Sequence, residues 1–141
     1  MERVITGRAQ IRVLEEIHGA ARGALAPDET QRRGARGREA RRQGRLRFLK
    51  LDFVVQQANY PEMPDFVDLG RSLGADRVGF SLVMNWGTWT SAEFAVRAIW
   101  RRDHPEFDAF LEVLRDPRLG QPLVDLGNVS AYRSRALETA A

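Results

Sequence analysis

Two short polar runs in this chain have the side chains to read a ligand: Gln56, Gln57 and Asn59, and later Asn85, Trp86, Gly87 and Thr88. Carboxamides both donate and accept hydrogen bonds, and an indole lies flat against another ring, so the chemistry on offer is recognition rather than bond making. Each run directly follows an apolar stretch, "LRFLKLDFVVQ" (46–56) and "DRVGFSLVM" (76–84). A plainer reading competes with this one, in which Asn85 only shapes a turn and Trp86 and Trp89 only cap a sheet.

Groups able to break bonds are few. Asp103, His104, Glu106 and Asp108 are close in sequence, and His104 and Asp108 would share a helical face, the spacing of a metal or acid–base pair. Asp103 and Glu106 are also accounted for by a capping box that opens a helix. His18 stands alone near a helix end. Cysteine is absent, which excludes disulfides, thiolate metal sites and cysteine nucleophiles. "GRSLGADRVG" (70–79) has neither glycine-rich phosphate-loop spacing, and no serine has the context of a nucleophile elbow.

The elements that must hold these residues follow from apolar spacing. Leu49, Leu51, Phe53 and Val55 alternate, with Phe48 and Val54 on the opposite side, which predicts a strand covered on both faces. Asn59 and Glu62 have capping-box spacing, and Phe66, Leu69, Gly70 and Leu73 mark one helical face. Residues 76–84 form a second strand. A strand, a helix and a strand within about 40 residues make a right-handed parallel βαβ unit, and ligands of such units sit beyond the carboxyl ends of the strands. Thr90 and Glu93 open a further helix with Phe94, Ala98 and Ile99 inward, closed by Arg101 and Arg102. Phe107, Phe110, Leu111 and Leu114 form the cleanest apolar stripe in the chain, and Leu123–Leu126 has room for one short extended piece.

The chain of 141 residues suits one domain, with 43% hydrophobic and 29% charged residues. It divides into an N-terminal helix (1–25, carrying Ile11, Leu14, Ile17 and Ala21), a linker rich in arginine and glycine (26–45), an α/β region (46–132) and a loose tail (133–141). No apolar run nears the ~20 residues of a membrane span and the start lacks a signal-peptide core, so the expected location is cytoplasmic. Between Arg32 and Arg47, eight arginines face the single Glu39 while the rest of the chain is net acidic. That segment is either an arm for nucleic acid or a solvated linker or frayed helix end, and no aromatic residue interleaves it to stack on bases.

The stretches "FVVQQANYPEMPDFVDLGRSLGADRVGF", "NWGTWTSAEF", "DHPEFDAFLEVLRDPRL" and "VDLGNVS" resemble the C-terminal part of radical SAM proteins of the SPASM-related kind. The resemblance implies an α/β fold with a parallel βαβ core and trailing helices, matching the last strands of a partial (β/α)6 barrel, a form of partial TIM barrel. It implies S-adenosylmethionine at the carboxyl edge of the strands, lined by Gln56, Asn59, Ser81, Asn85 and Trp86. The family's iron–sulfur cluster (4Fe-4S) needs three cysteines of a CxxxCxxC motif, and this chain has none, so it cannot hold that cluster. No catalytic or metal-binding residue is transferred. The expectation is a fragment or degenerate form, inactive alone because cofactor cleavage needs an electron from the missing cluster. Its implied partners are the missing half of the barrel or a second copy. Two rival readings are a small nucleic-acid-binding module using Arg32–Arg47 and a protein-interaction domain presenting Trp86, Trp89 and Trp100.

Overall fold

The computed structural model describes residues 27–44 and 48–140. The N-terminal helix expected within 1–25 lies outside them. Three strands, β1 (Lys50–Val55), β2 (Arg77–Leu82) and β3 (Val124–Asp125), form one sheet in the order β1-β2-β3, with both neighbouring pairs parallel. Helix α2 (Met63–Ser72) connects the first two strands, preceded by a 3-10 turn at Tyr60–Glu62. Helices α3 (Ser91–Arg97) and α4 (Phe107–Leu114) connect β2 to β3. Helix α1 (Pro27–Arg42) precedes the sheet and α5 (Ser130–Glu138) follows it. The mixed α/β class and the parallel βαβ core agree with the sequence reading, as does the short extended piece near residue 124.

Strand alternation decides which face is buried. Leu51, Phe53 and Val55 of β1 and Val78, Phe80 and Leu82 of β2 enter one core with Phe66 and Val67 of α2, Phe110 and Leu114 of α4, and Ala136 of α5. Phe53 is its hub, with ring centroids 4.9 Å from Phe66 and 5.6 Å from Phe80. Each such ring contributes about 1.5–3 kcal/mol by leaving water. Helix and strand come unusually close at Gly70, where any Cβ would collide with Val78 Cγ2.

The opposite face corrects an expectation. Register places Lys50 beside Arg77, Asp52 beside Gly79 and Val54 beside Ser81, and Asp125 next to Gly79, so this face is mostly polar. Lys50 Nζ pairs with Asp52 Oδ1 at 2.9 Å, and both side chains lie over Gly79, which has no room for a Cβ. Phe48 is 42% exposed. Among the described residues, therefore, the core covers one face of the strands, and the apolar residues of opposite parity in and just before β1 are only Phe48 and Val54.

Two further segments are helical. The segment over 26–45, expected as a linker or a frayed helix, contains α1, which is anchored by arginines and by Ala40 packed against the core. Arg38 Nη1 donates to Ser72 O at 2.8 Å, while Arg41 donates to Gly74 O and pairs with Asp76. These carbonyls belong to the C-terminal end of α2, where cations complement the helix dipole. The tail expected to be loose contains α5, held by buried Ala136, by Arg115 Nε on Ala136 O at 2.9 Å, and by Arg133 on the carbonyls of Leu114 and Asp116. The capping box at Thr90 and Glu93 forms as expected, but α3 ends at Arg97 rather than at Arg101 and Arg102. Ala98 leaves the helical conformation, and Ala98 and Ile99 are buried just beyond the helix end.

Candidate functional site

Parallel register brings the ends of β1 and β2 to one rim, so Gln56–Asn59 and Asn85–Trp89 leave the sheet on the same side. Each of the residues expected there has a definite place. Asn59 is 1% exposed, and its carboxamide is used at both ends. Its Oδ1 accepts from Gln56 N at 2.9 Å and its Nδ2 donates to Val54 O at 2.9 Å. It makes no side-chain cap bond, so the expected capping box with Glu62 is not formed and α2 begins only at Met63. Gln56 is half-buried, its Oε1 at 3.5 Å from Arg97 Nη1.

The loop after β2 is organised by Asn85. Its Oδ1 accepts from Gly87 N at 3.0 Å and from Trp89 N at 3.3 Å, and its Nδ2 donates to Trp89 O at 2.9 Å. Gly87 takes φ +89°, a left-handed conformation that side chains rarely adopt. The Asn-Trp-Gly-Thr-Trp stretch is thus a turn closed on its own asparagine. It leaves Trp86 87% exposed. Trp89 turns back onto the protein, stacked on Phe94 with centroids 6.4 Å apart and covered by Arg97, whose Cζ lies 4.8 Å from its centroid. Trp100 meets Phe94 edge-on. The three tryptophans therefore do not share one exposed surface. Ser81 points to the polar face of the sheet and is exposed.

Beyond β3 the rim contains a residue that sequence reasoning missed. Asn128 Oδ1 accepts from Leu82 N at 2.9 Å, continuing the sheet's hydrogen bonding after β3 has ended. Gly127, at φ +50°, permits this approach, since a Cβ there would lie 2.8 Å from Phe80 O. "LGN" after a short apolar piece was the available signal.

The acidic group around His104 also differs from expectation. Residues 101–106 form turns and α4 starts at Phe107, so His104 and Asp108 do not lie on one helix and no Asp103–Glu106 capping box forms. Asp103 pairs with Arg101 at 3.2 Å. Glu106 accepts from Gln57 Nε2 at 2.8 Å and from the Tyr60 hydroxyl at 3.1 Å. Burial, and then the bond to Glu106, push the Tyr60 phenol above its ordinary range, so it stays a donor. His104 Nδ1 accepts from Glu106 N at 3.1 Å, which leaves Nε2 to donate to Val96 O at 2.9 Å. No group of three or more metal-ligating side chains occurs among the described residues. No helix among them is long and apolar enough to cross a membrane.

No protein-family model, curated protein or solved structure matches this chain.

Proposed function

We propose that this chain is a late-strand segment of a β/α barrel of the radical SAM kind, one that presents a rim for S-adenosylmethionine and does no chemistry by itself. The observation that supports this reading most is the sheet itself: three parallel strands in sequential order, apolar packing on one face, and a polar opposite face. Sequential order with all crossovers on one side is the winding of a barrel, whereas a doubly wound sheet reverses order and covers both faces. In a barrel, the polar face would look inward.

The rim also narrows which residues could meet the cofactor. Asn59 and Asn85 are occupied by their own backbone bonds, and Gln56 leans on Arg97. Trp86 and Ser81 are exposed, offering a ring face and a hydroxyl. The cluster does not fit this chain, because its cysteine ligands are absent. No redox step is assigned to these residues. Further strands and a cluster would have to come from outside these residues.

The nucleic-acid reading has less support. Arg38 and Arg41 of its basic segment are engaged at the C-terminal end of α2, at the opposite end of the strands from Trp86. The test is a titration of the full chain with S-adenosylmethionine followed by NMR. Selective, saturable shifts at the Trp86 indole and the Ser81 amide, lost in Trp86→Ala, are expected. A spectrum unchanged at millimolar cofactor overturns the reading.

A further inference from the structure

Separate from the rim residues Ser81 and Trp86, a cleft of about 340 Å³ lies between α3 and the turns before α4. That is the small end of ligand cavities, which run roughly 300–1,000 Å³. Ala95, Val96 and Pro105 give it an apolar wall, and Val96 is 62% exposed there. Gln57, Arg101, Asp103, His104 and Glu106 complete the lining.

The charges of this lining do not cancel. Arg101 is taken by Asp103, with Nε and Nη2 each 3.2 Å from a carboxylate oxygen. Both nitrogens of His104 are engaged by backbone groups. Glu106 is half-buried and bonded by two neutral donors, the amide of Gln57 and the phenol of Tyr60, and among the described residues no cation pairs with it. Nor does its side chain cap α4. A carboxylate accepts about four hydrogen bonds, so each oxygen keeps capacity for one more donor. A half-buried charge with neutral donors on both oxygens and an apolar wall beside it is complementary to a cation on a short aliphatic stem.

We propose that this cleft binds a primary alkylammonium group, with the ammonium on Glu106 and the stem along Val96 and Pro105. Neither the barrel relationship nor the nucleoside cofactor is needed for it. The probe is n-butylammonium chloride, added to the full chain while the Gln57 side-chain amide and Val96 methyl signals are followed by NMR. Sodium chloride is the ionic control and n-butanol the neutral isostere. Saturable shifts with butylammonium, none with sodium chloride, and at least tenfold weaker binding of butanol are expected. Glu106→Gln should weaken butylammonium at least tenfold. Val96→Arg, a surface change that tethers a guanidinium over Glu106, should abolish the response while raising the melting temperature. A blocked lysine tripeptide separates the sources of the ammonium: binding as tight as butylammonium assigns a peptide side chain, and tenfold weaker binding assigns a free small amine. Shifts that never saturate, butanol binding as well as butylammonium, or a folded Val96→Arg protein with unchanged affinity would each overturn the proposal.

Discussion

Replacing Asn59 by alanine separates a structural amide from a ligand-reading one. The substitution removes two hydrogen bonds of 2.9 Å in a site that is 1% exposed, leaving Gln56 N–H and Val54 C=O without their partner. Each buried polar group left unpaired costs about 1–3 kcal/mol, so the pair costs roughly 2–4 kcal/mol once water is allowed to reach one of them. Against a total stability of about 5–15 kcal/mol this is a large fraction. In urea, with a slope of about 2 kcal/mol/M, the midpoint should fall by about 1–2 M. Asn59→Asp should cost more, because it keeps the acceptor for Gln56 but sets a buried charge against the Val54 carbonyl. The assay is equilibrium urea unfolding followed by circular dichroism and tryptophan emission. A midpoint shift under about 0.3 M for the alanine variant would refute the structural reading and return Asn59 to the list of groups free to meet a ligand.

Other consequences are as direct. Gly70→Ala should destabilise by about 1–3 kcal/mol through its clash with Val78, and Val78→Ala in the same chain should recover part of that loss, measured by a double-mutant cycle in urea. Arg118 bonds Asp65 at 3.0 Å, Asp68 at 2.7 Å and Asp116 at 2.8 Å, so Arg118→Met leaves three like charges together; a loss of roughly 1–2 kcal/mol that shrinks in 0.5 M salt is expected. Burial raises the Asp76 carboxyl, but Arg41 and the Leu49 N–H outweigh it and hold it below the usual range. A lowered carboxylate stabilises above its unfolded value near 3.8 and loses that contribution as pH falls through the folded value. Asp76→Asn should therefore flatten the acid limb of the stability profile. Tyr60 is raised, so its contribution is complete below about pH 10 and is lost as pH climbs through the folded value; Tyr60→Phe should flatten the alkaline limb of the stability profile measured by urea unfolding.

The parts of the fold legible in the sequence are those built by apolar periodicity. Alternation at Leu51, Phe53 and Val55 and the stripe of Phe107, Phe110, Leu111 and Leu114 lead to buried faces, and parallel pairing follows from the helix between two strands. Local pairings were legible only when no other partner competed. Thr90 and Glu93 close their box; Asn59 misses its own because its carboxamide bonds the nearby Val54 O and Gln56 N, and Glu106 because it is drawn to Gln57 and Tyr60, 49 and 46 residues away. Spacing carries no information about such partners. Helix α1 was legible only as a linker or frayed helix: its arginines reach carbonyls 33 and 34 residues on, and a helix anchored largely by cations has no apolar stripe to announce it. Of the rim, the position was readable from topology. The distinction between an exposed Trp86 and a self-satisfied Asn85 was not, because both depend on how one turn closes.

Asn59 has a further consequence for how the sheet can grow. Val83 N donates to Val55 O and Arg77 N to Leu49 O, so the odd-numbered residues of β1 turn their peptide groups toward β2. The even-numbered ones face the other flank of the strand, where no strand pairs with β1 among the described residues. The Asn59 carboxamide bonds Val54 O and Gln56 N, offering one N–H and one C=O where the peptide groups of an adjoining strand would stand. It is a one-residue counterfeit of the next strand. Any real strand docking there finds the end of the ladder already taken and must pair through Lys50 and Asp52, toward the start of β1. The side chain that closes a turn therefore also sets the register of whatever joins the sheet, and holds the newcomer back from the rim.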